Sequence, residues 1–337
     1  MADRGYKPPY EITPAILSLL GDISEWIGRH APAVDALHLP LLRRENRIRS
    51  IRSSLAIEGN TLSLEQVTAI LDGKRVLGRP REILEVRNAF VAYEELDRFN
   101  PFSERDLLAA HRLMMTGLID DAGLFRSGGV GVFQGKRAIH IAPPADKVPH
   151  LMADLLSWLK KSAEPPLIAS SIFHYEFEFI HPFSDGNGRM GRLWQTRILS
   201  RWRSLFSLVP VETIVHDHQS DYYAALAACN KAGDSTRFIE FMLSVIKEAL
   251  AQVKATEQVT VQVTEQVKRL LAAFGTEALP VRDLMAALAL RHRPAFLASY
   301  LQPALAAGLI EMTQPDSPRS PTQRYRLTAK GLRVRGE

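Results

Sequence analysis

The sequence predicts a mainly α-helical chain, with one short β-hairpin set in a helical core and a smaller C-terminal domain of three helices and a second hairpin. Three observations support this. Apolar residues recur at helical spacing through most of the first 250 residues. Within that stretch only Val130 to Ile141 alternates β-branched residues around a turn, at Gln134-Gly135. Beyond residue 264 the pattern shifts to short helices followed by two strand-like runs.

The first helix is expected from Ile12 to Arg29, with Pro14 near its start, where a missing N–H costs nothing. A second runs from Leu41 to Ile57 and stops at Gly59-Asn60, two residues that tolerate a left-handed cap. Ser63 with Gln66 three residues on forms a capping box for the next helix. Pro80 marks a loop before a helix over Ile83–Phe99, and Ser103 opens another through Met115. After the hairpin and Pro143-Pro144, helices are expected over Val148–Lys160, Leu167–Ile180, Asn187–Trp202, Tyr222–Ala232 and Phe238–Val253. A helical linker over 251–263 leads to helices Glu265–Ala273, Val281–Leu290 and Ala295–Ala306, then strands at Leu309–Thr313 and Arg324–Thr328. This last arrangement resembles a winged helix–turn–helix, in which the third helix enters the major groove and the wing touches the backbone. The resulting domain division is 1–95, 96–250, the linker 251–263, and 264–337.

Composition excludes several classes. Of 337 residues, 46% are hydrophobic and 23% charged, ordinary values for a folded protein and not those of a disordered one. The single cysteine, Cys229, excludes an internal disulfide framework and a multi-thiolate metal site. No run reaches the roughly 18–20 apolar residues of a membrane helix, and the N-terminus has no secretory pattern, so a cytoplasmic protein without membrane partners is expected. The formal charge is +5, and the segment Thr260–Glu337 holds 11 Lys/Arg against 6 Asp/Glu, so the whole excess lies there. An anionic partner such as DNA is one reading of 264–337, with Arg291 and Arg293 before the third helix and Arg319, Arg324 and Arg326 along the wing. Protein contact or dimerisation is the other.

The segment His181-Pro182-Phe183-Ser184-Asp185-Gly186-Asn187-Gly188-Arg189-Met190-Gly191-Arg192 concentrates the chemistry. Gly186-Asn187-Gly188 allows a turn where a loop becomes a helix, and the exposed N–H groups of that helix start make an anion site. Arg189 and Arg192, three apart, share one side of the first turns, and two guanidiniums above such a nest suit a polyphosphate. Asp185 is a hard oxygen ligand of the type that holds phosphate-bound Mg²⁺. His181 is the side chain most readily poised near neutral pH to move a proton. The residues alone therefore point to nucleotide-phosphate chemistry with a histidine base.

This segment resembles the signature of the Fic (Fic/Doc) family, His-Pro-Phe-x-Asp-Gly-Asn-Gly-Arg-x-x-Arg, at every defined position, and the resemblance extends over roughly Ile57 to Leu243. It implies a Fic-type helical core that moves AMP from ATP to a hydroxyl of a target protein, and of the chain itself, with release of pyrophosphate. It implies His181 as base, Asp185 as the Mg²⁺ residue, Gly186, Asn187 and Gly188 as the anion hole, and Arg189 and Arg192 as the phosphate grip. The hairpin 130–141 resembles the family's flap, along which a target segment docks as an added strand. Tyr223 and Asn230, seven apart on one expected helix, resemble the nucleobase pocket of one branch, and ring and amide suit adenine. Ser54-Leu55-Ala56-Ile57-Glu58-Gly59 resembles the family's inhibitory motif, which implies that Glu58 pairs with Arg192 and withholds it from ATP, with Ser54 on the same face. In some members this glutamate also serves AMP removal, and homodimers are common. Two other functions remain open: a DNA-binding regulator whose Fic core senses nucleotide, and transfer of a different phosphate-linked group. His216 and His218 lack further metal ligands, and His111, His174 and Cys229 are expected to pack in the interior.

Overall fold

The computed structural model describes residues 6–36, 40–134, 137–261, 265–275, 277–315, 317, 320 and 322–336. Contacts divide the chain into two units, Met1–His38 with Leu42–Val253, and Leu39–Leu41 with Lys254–Glu337.

The larger unit is helical apart from one hairpin. Helix α1 spans Pro14–Ala36, α2 Pro40–Ile57, α3 Leu64–Leu71, α4 Pro80–Glu94 and α5 Glu104–Met115. The hairpin β1 (Gly131–Gln134) and β2 (Arg137–Ile141) follows, then α6 (Val148–Lys161), α7 (Pro166–Ile180), α8 (Asn187–Trp202), α9 (Val211–Asp217), α10 (Gln219–Ala232) and α11 (Thr236–Val261). Ser63 accepts from the Gln66 N–H and Gln66 returns a bond to the Ser63 N–H, so the expected capping box forms. Pro80 opens α4 instead of preceding it, since proline's fixed φ suits the first helical position. The pattern that suggested a single helix to Phe99 breaks at Glu94, and Leu96–Arg98 tightens into a 3₁₀ turn. Short α9 carries no resolvable periodicity and was not expected.

Helix α7 explains where the core sits. Its residues Leu167–Phe177 are buried on all sides, as a helix without a polar face must be. Phe173, Phe177 and Ile180 enter one apolar cluster with α2, α4, α5 and α6 residues. Leu167, Ile168, Ile172 and Tyr175 enter a second with α1, α9, α10 and α11 residues. Helix α8 is buried nearly as fully, from Asn187 through Leu199. The loop between α7 and α8 is therefore held by the two most enclosed helices of the unit. β1 and β2 pair antiparallel with an irregularity at Val132/Phe133 and form a two-stranded sheet. The turn residues Gly135 and Lys136 lie outside the described residues.

The smaller unit contains α12 (Glu265–Ala273), α13 (Val281–Ala287), α14 (Arg293–Phe296), a π turn at Leu297–Leu301, α15 (Gln302–Ala306), β3 (Ile310–Met312), β4 (Tyr325–Leu327) and α16 (Ala329–Gly336). Its core is Leu270, Leu271, Leu284, Phe296, Leu301, Leu309 and Tyr325. β3 and β4 pair antiparallel, and Leu279 bridges to Tyr325. The expected third helix is broken into two by the π turn, and α16 was not expected. Residues 262 and 263 of the linker, residue 264 and Arg319 lie outside the described residues.

Candidate active site

The site is built on the loop 181–186. His181 ends α7 in a left-handed conformation, φ 51° and ψ 61°, with its N–H on the Phe177 carbonyl at 2.9 Å. Such a backbone is costly for a residue with a Cβ, so neighbours must hold it. Arg126 does this: its Nε donates to the His181 carbonyl at 2.7 Å and its backbone N–H to the Pro182 carbonyl at 2.9 Å. Phe183 is buried and stacks on His111, with ring centroids 3.6 Å apart and an interplanar angle of 4°. The Gly123 N–H donates to His111 Nδ1, so Nε2 carries the proton and donates to the Asp185 carbonyl at 3.0 Å. Burial pushes the His111 pKa down to about 4, which keeps this tautomer neutral. Asn187 grips the Phe183 backbone twice, accepting its N–H and donating to its carbonyl, each at 2.9 Å. The amide expected in an anion hole is thus committed to the loop, and only the Asn187 backbone is left for an anion.

Gly186 caps α8 at φ 87°. A Cβ there would lie 2.7 Å from Met115 Sδ, so both conformation and space demand glycine. No side chain caps this helix start, which leaves its first N–H groups as anion donors. Asp185 Oδ1 accepts the Gly186 N–H at 2.6 Å and Arg189 Nη2 at 2.9 Å, and Oδ2 faces Arg81 at 3.3 Å. Arg189 is buried and lies 3.8 Å from Glu85. It holds Asp185 instead of pointing openly at a ligand. No group of three or more His, Cys, Asp or Glu suited to a metal occurs among the described residues. A single exposed carboxylate nevertheless fits Mg²⁺, which commonly takes one or two protein carboxylates and completes its shell with water and phosphate oxygens.

Arg192 is buried against the end of α2. Its Nε donates to Ser54 Oγ at 3.1 Å, and Nη2 donates to the Ser54 carbonyl at 3.0 Å and to Glu58 Oε1 at 2.7 Å. Burial works against its charge, but Glu58, with Tyr222 and Glu178 adding to it, outweighs this and pushes the pKa up. Glu58 Oε1 also lies where a Gly188 Cβ would stand, so its carboxylate occupies the start of α8. Glu178 adjoins the same guanidinium. Burial, with Arg192 opposing it and Glu58 adding to it, lifts its pKa to about 8. A Gly191 Cβ would come within 2.7 Å of Glu178 Oε1, which explains glycine at that position. His174, held low at about 3 by burial, joins Gln195 and Tyr222 beside it.

The two nucleobase candidates do not converge. Tyr223 is 47% exposed and points its hydroxyl at the Ile57 carbonyl, 3.4 Å away. Asn230, about 10 Å further along α10, accepts from the Tyr175 hydroxyl at 3.2 Å. His216 pairs with Asp217 and His218 with Glu248, so the described contacts give them no metal-like arrangement. Cys229 is buried, as expected. Two residues that position the site, Arg126 and His111, gave no signal as such in the sequence, because each acts across distant segments. His111 and Arg126 lie 70 and 55 residues before His181.

Among the described residues no helix is long and apolar enough to cross a membrane. The Fic/DOC family pattern matches residues 101–199, and that of the "Filamentation induced by cAMP protein Fic-like, C-terminal domain" matches 265–328. Protein adenylyltransferase fic-1 of Caenorhabditis briggsae is 32% identical over 216 residues, 60% of this chain but 40% of that protein. Protein adenylyltransferase Fic of Culex quinquefasciatus is 31% identical over 65% of this chain and 44% of its own length. The chain thus spans less than half the length of these curated relatives. A crystal structure of a Fic family protein from Desulfovibrio desulfuricans G20 is 58% identical and superposes with a TM-score of 0.74, over 97% of this chain and 99% of that one. Likeness at that identity over nearly both whole chains, joined to an uninterrupted motif on the α7–α8 loop, places this chain in the Fic family.

Proposed function

We propose that the chain is a protein adenylyltransferase restrained by its own Glu58. The observation that carries this is the Glu58–Arg192 pair at 2.7 Å, seated on Gly188 at the start of α8. The names of the curated relatives support the activity, and the intact motif supports the roles. The N–H groups at the α8 start and Arg192 would receive the ATP phosphates, with Asp185 holding Mg²⁺ that neutralises their charge. His181 would take the proton of a target hydroxyl as its oxygen attacks the α-phosphorus. The Pα–O bond to the β-phosphate breaks, pyrophosphate leaves, and AMP stays on the hydroxyl. While Glu58 holds Arg192, the guanidinium cannot serve a phosphate, since one fork cannot satisfy both partners. The two-stranded hairpin leaves an outer edge for an added target strand.

The test is incubation with Mg²⁺ and ATP labelled on the α-phosphate, followed by intact mass. Glu58→Gly is expected to gain AMP, and Glu58→Gly/His181→Ala to gain none while still binding ATP. Transfer by the doubly substituted chain would remove His181 as the base.

A second reading concerns the smaller unit, where Arg291 and Arg293 are exposed at the start of α14. A winged-helix DNA contact is expected to show salt-dependent binding of duplex DNA by fluorescence anisotropy, weakened by Arg291→Ala/Arg293→Ala. Binding that ignores both salt and these substitutions would remove it.

A further inference from the structure

Resting on the transferase reading, we infer that Arg126 is a positioning residue that sets His181 against the hairpin through one buried guanidinium fork. Arg126 is only 3% exposed. Its Nε donates to the His181 carbonyl at 2.7 Å, and Nη2 to the Ile180 carbonyl at 3.3 Å and the Pro143 carbonyl at 2.6 Å. Nη1 donates to the Gly128 carbonyl at 2.8 Å. Every one of these partners is a backbone carbonyl, and no described ion pair involves Arg126.

The partners fall into two groups with distinct meanings. Ile180 and His181 are the last carbonyls of α7, which lack acceptors' usual helical partners and sit at the negative end of the helix dipole. A cation there satisfies them and holds the left-handed turn at His181. Gly128 and Pro143 are the two legs of the hairpin, just before β1 and just after β2, where the Ala142 N–H closes on the Val130 carbonyl at 3.2 Å. One planar group therefore fixes the base of the docking hairpin and the backbone of the base residue at a set separation. A target strand added to the hairpin edge would have its hydroxyl delivered to His181 over that separation. No counter-ion for this buried charge occurs among the described residues, and burial lowers the pKa of Arg126. A fork reaching four carbonyls needs arginine, because the ammonium of lysine is a point donor without that geometry.

The experiment uses the full chain, with Arg126→Lys and Arg126→Gln made both alone and in the Glu58→Gly background. Three readouts are taken: Mg²⁺-ATP affinity by calorimetry, the rate of self-modification against ATP concentration, and the pH titration of the His181 ring by NMR. The expected result is at least a 30-fold fall in maximal rate, ATP affinity and KM within twofold of the parent, and a displaced His181 titration. Lysine is expected to restore little. In the unsubstituted protein, the Arg126 Nε–H is expected to exchange slowly and to couple to the His181 carbonyl carbon, a measurement that needs no variant to fold. Should Glu58→Gly itself transfer no AMP, the transferase reading fails, while the His181 titration and the Nε–H signal still judge Arg126. An unmoved His181 titration with a freely exchanging Nε–H overturns the inference, as does a loss confined to ATP affinity.

Discussion

Removing the Glu58 carboxylate is the perturbation whose size the structure bounds best. The described side-chain contacts of Glu58 are its bond from Arg192 and its place over Gly188. Its side chain is 34% exposed, whereas that of Arg192 is 2% exposed. The pair is therefore open to water on its Glu58 side, and the several kcal/mol of a fully buried pair does not apply. A charge-assisted bond of this kind contributes about 2 kcal/mol. With that closing energy, Arg192 is free for a phosphate in roughly 3% of molecules, and the productive affinity is reduced by that fraction. Glu58→Gly is thus expected to raise self-modification about 30-fold at subsaturating ATP. Glu58→Gln, which keeps the length but not the charge, is expected to fall between the two. Arg192→Ala should abolish the gain, since the guanidinium released by Glu58→Gly would then be absent. The assay is initial rate by intact mass over a range of ATP concentrations. An unchanged rate in Glu58→Gly, with ATP bound as tightly as in the parent, would refute the competition for Arg192.

Three further outcomes follow from the same contacts. Glu178 keeps its proton in the folded chain up to about pH 8 but releases it near 4.5 when unfolded, so wild-type stability is expected to fall with rising pH across that window. Glu178→Gln should lack this slope of about 1.4 kcal/mol per pH unit, which denaturant melts at pH 5, 6.5 and 8 would show as a widening gain for the variant. His111→Phe keeps the stack on Phe183 but strands the Gly123 N–H and the Asp185 carbonyl, for an expected loss of about 2–4 kcal/mol in the same melts. Asn187→Leu is expected to cost about as much and to weaken ATP binding, because the Phe183 backbone loses both partners; unaltered binding in calorimetry would separate the loop from the phosphate site.

What was legible depended on distance along the chain. The motif 181–192 lies on one loop and one helix start, so residue types at fixed spacing already describe a local geometry. Helix α7 could be read from its continuous apolar run, and the capping box at Ser63 from two residues. The Glu58–Arg192 pair spans 134 residues and was reachable only through the resemblance. Arg126 and His111 had no such help: nothing within a few residues of either hints that its partners are carbonyls in the loop between α7 and α8. Seven-residue spacing placed Tyr223 and Asn230 on one helix, but two turns separate them, and each meets a different neighbour. Short α9 and α16 contain too few turns for a period to emerge. Pro80 was read as a break because proline opens helices and ends them with the same residue type, and only the partners of its neighbours decide which.

The anchoring of α2 decides how the proposed restraint would be lifted. Asn46 donates to the Leu208 carbonyl at 2.8 Å, and Ser50 donates to the buried carboxylate of Glu212 at 2.8 Å. Glu212 also accepts from Tyr93 and Thr196, each at 2.9 Å, so α2, α4, α8 and α9 share one hydrogen-bonded centre. Ile51 and Leu55 of α2 are buried in the first apolar cluster. Undocking α2 would expose those side chains, at roughly 1.5–3 kcal/mol each, and strand several buried polar groups besides. Turning the Glu58 side chain costs only its bond to Arg192, because it lies in the turn beyond Ile57 and already meets solvent. Ser54 would continue to hold Arg192 through its hydroxyl and carbonyl, keeping the guanidinium beside the α8 start. The inexpensive route is therefore a side-chain exchange in which a phosphate replaces a carboxylate on a guanidinium that stays in place. A ligand with differential affinity for Arg192 can drive that exchange without moving a helix.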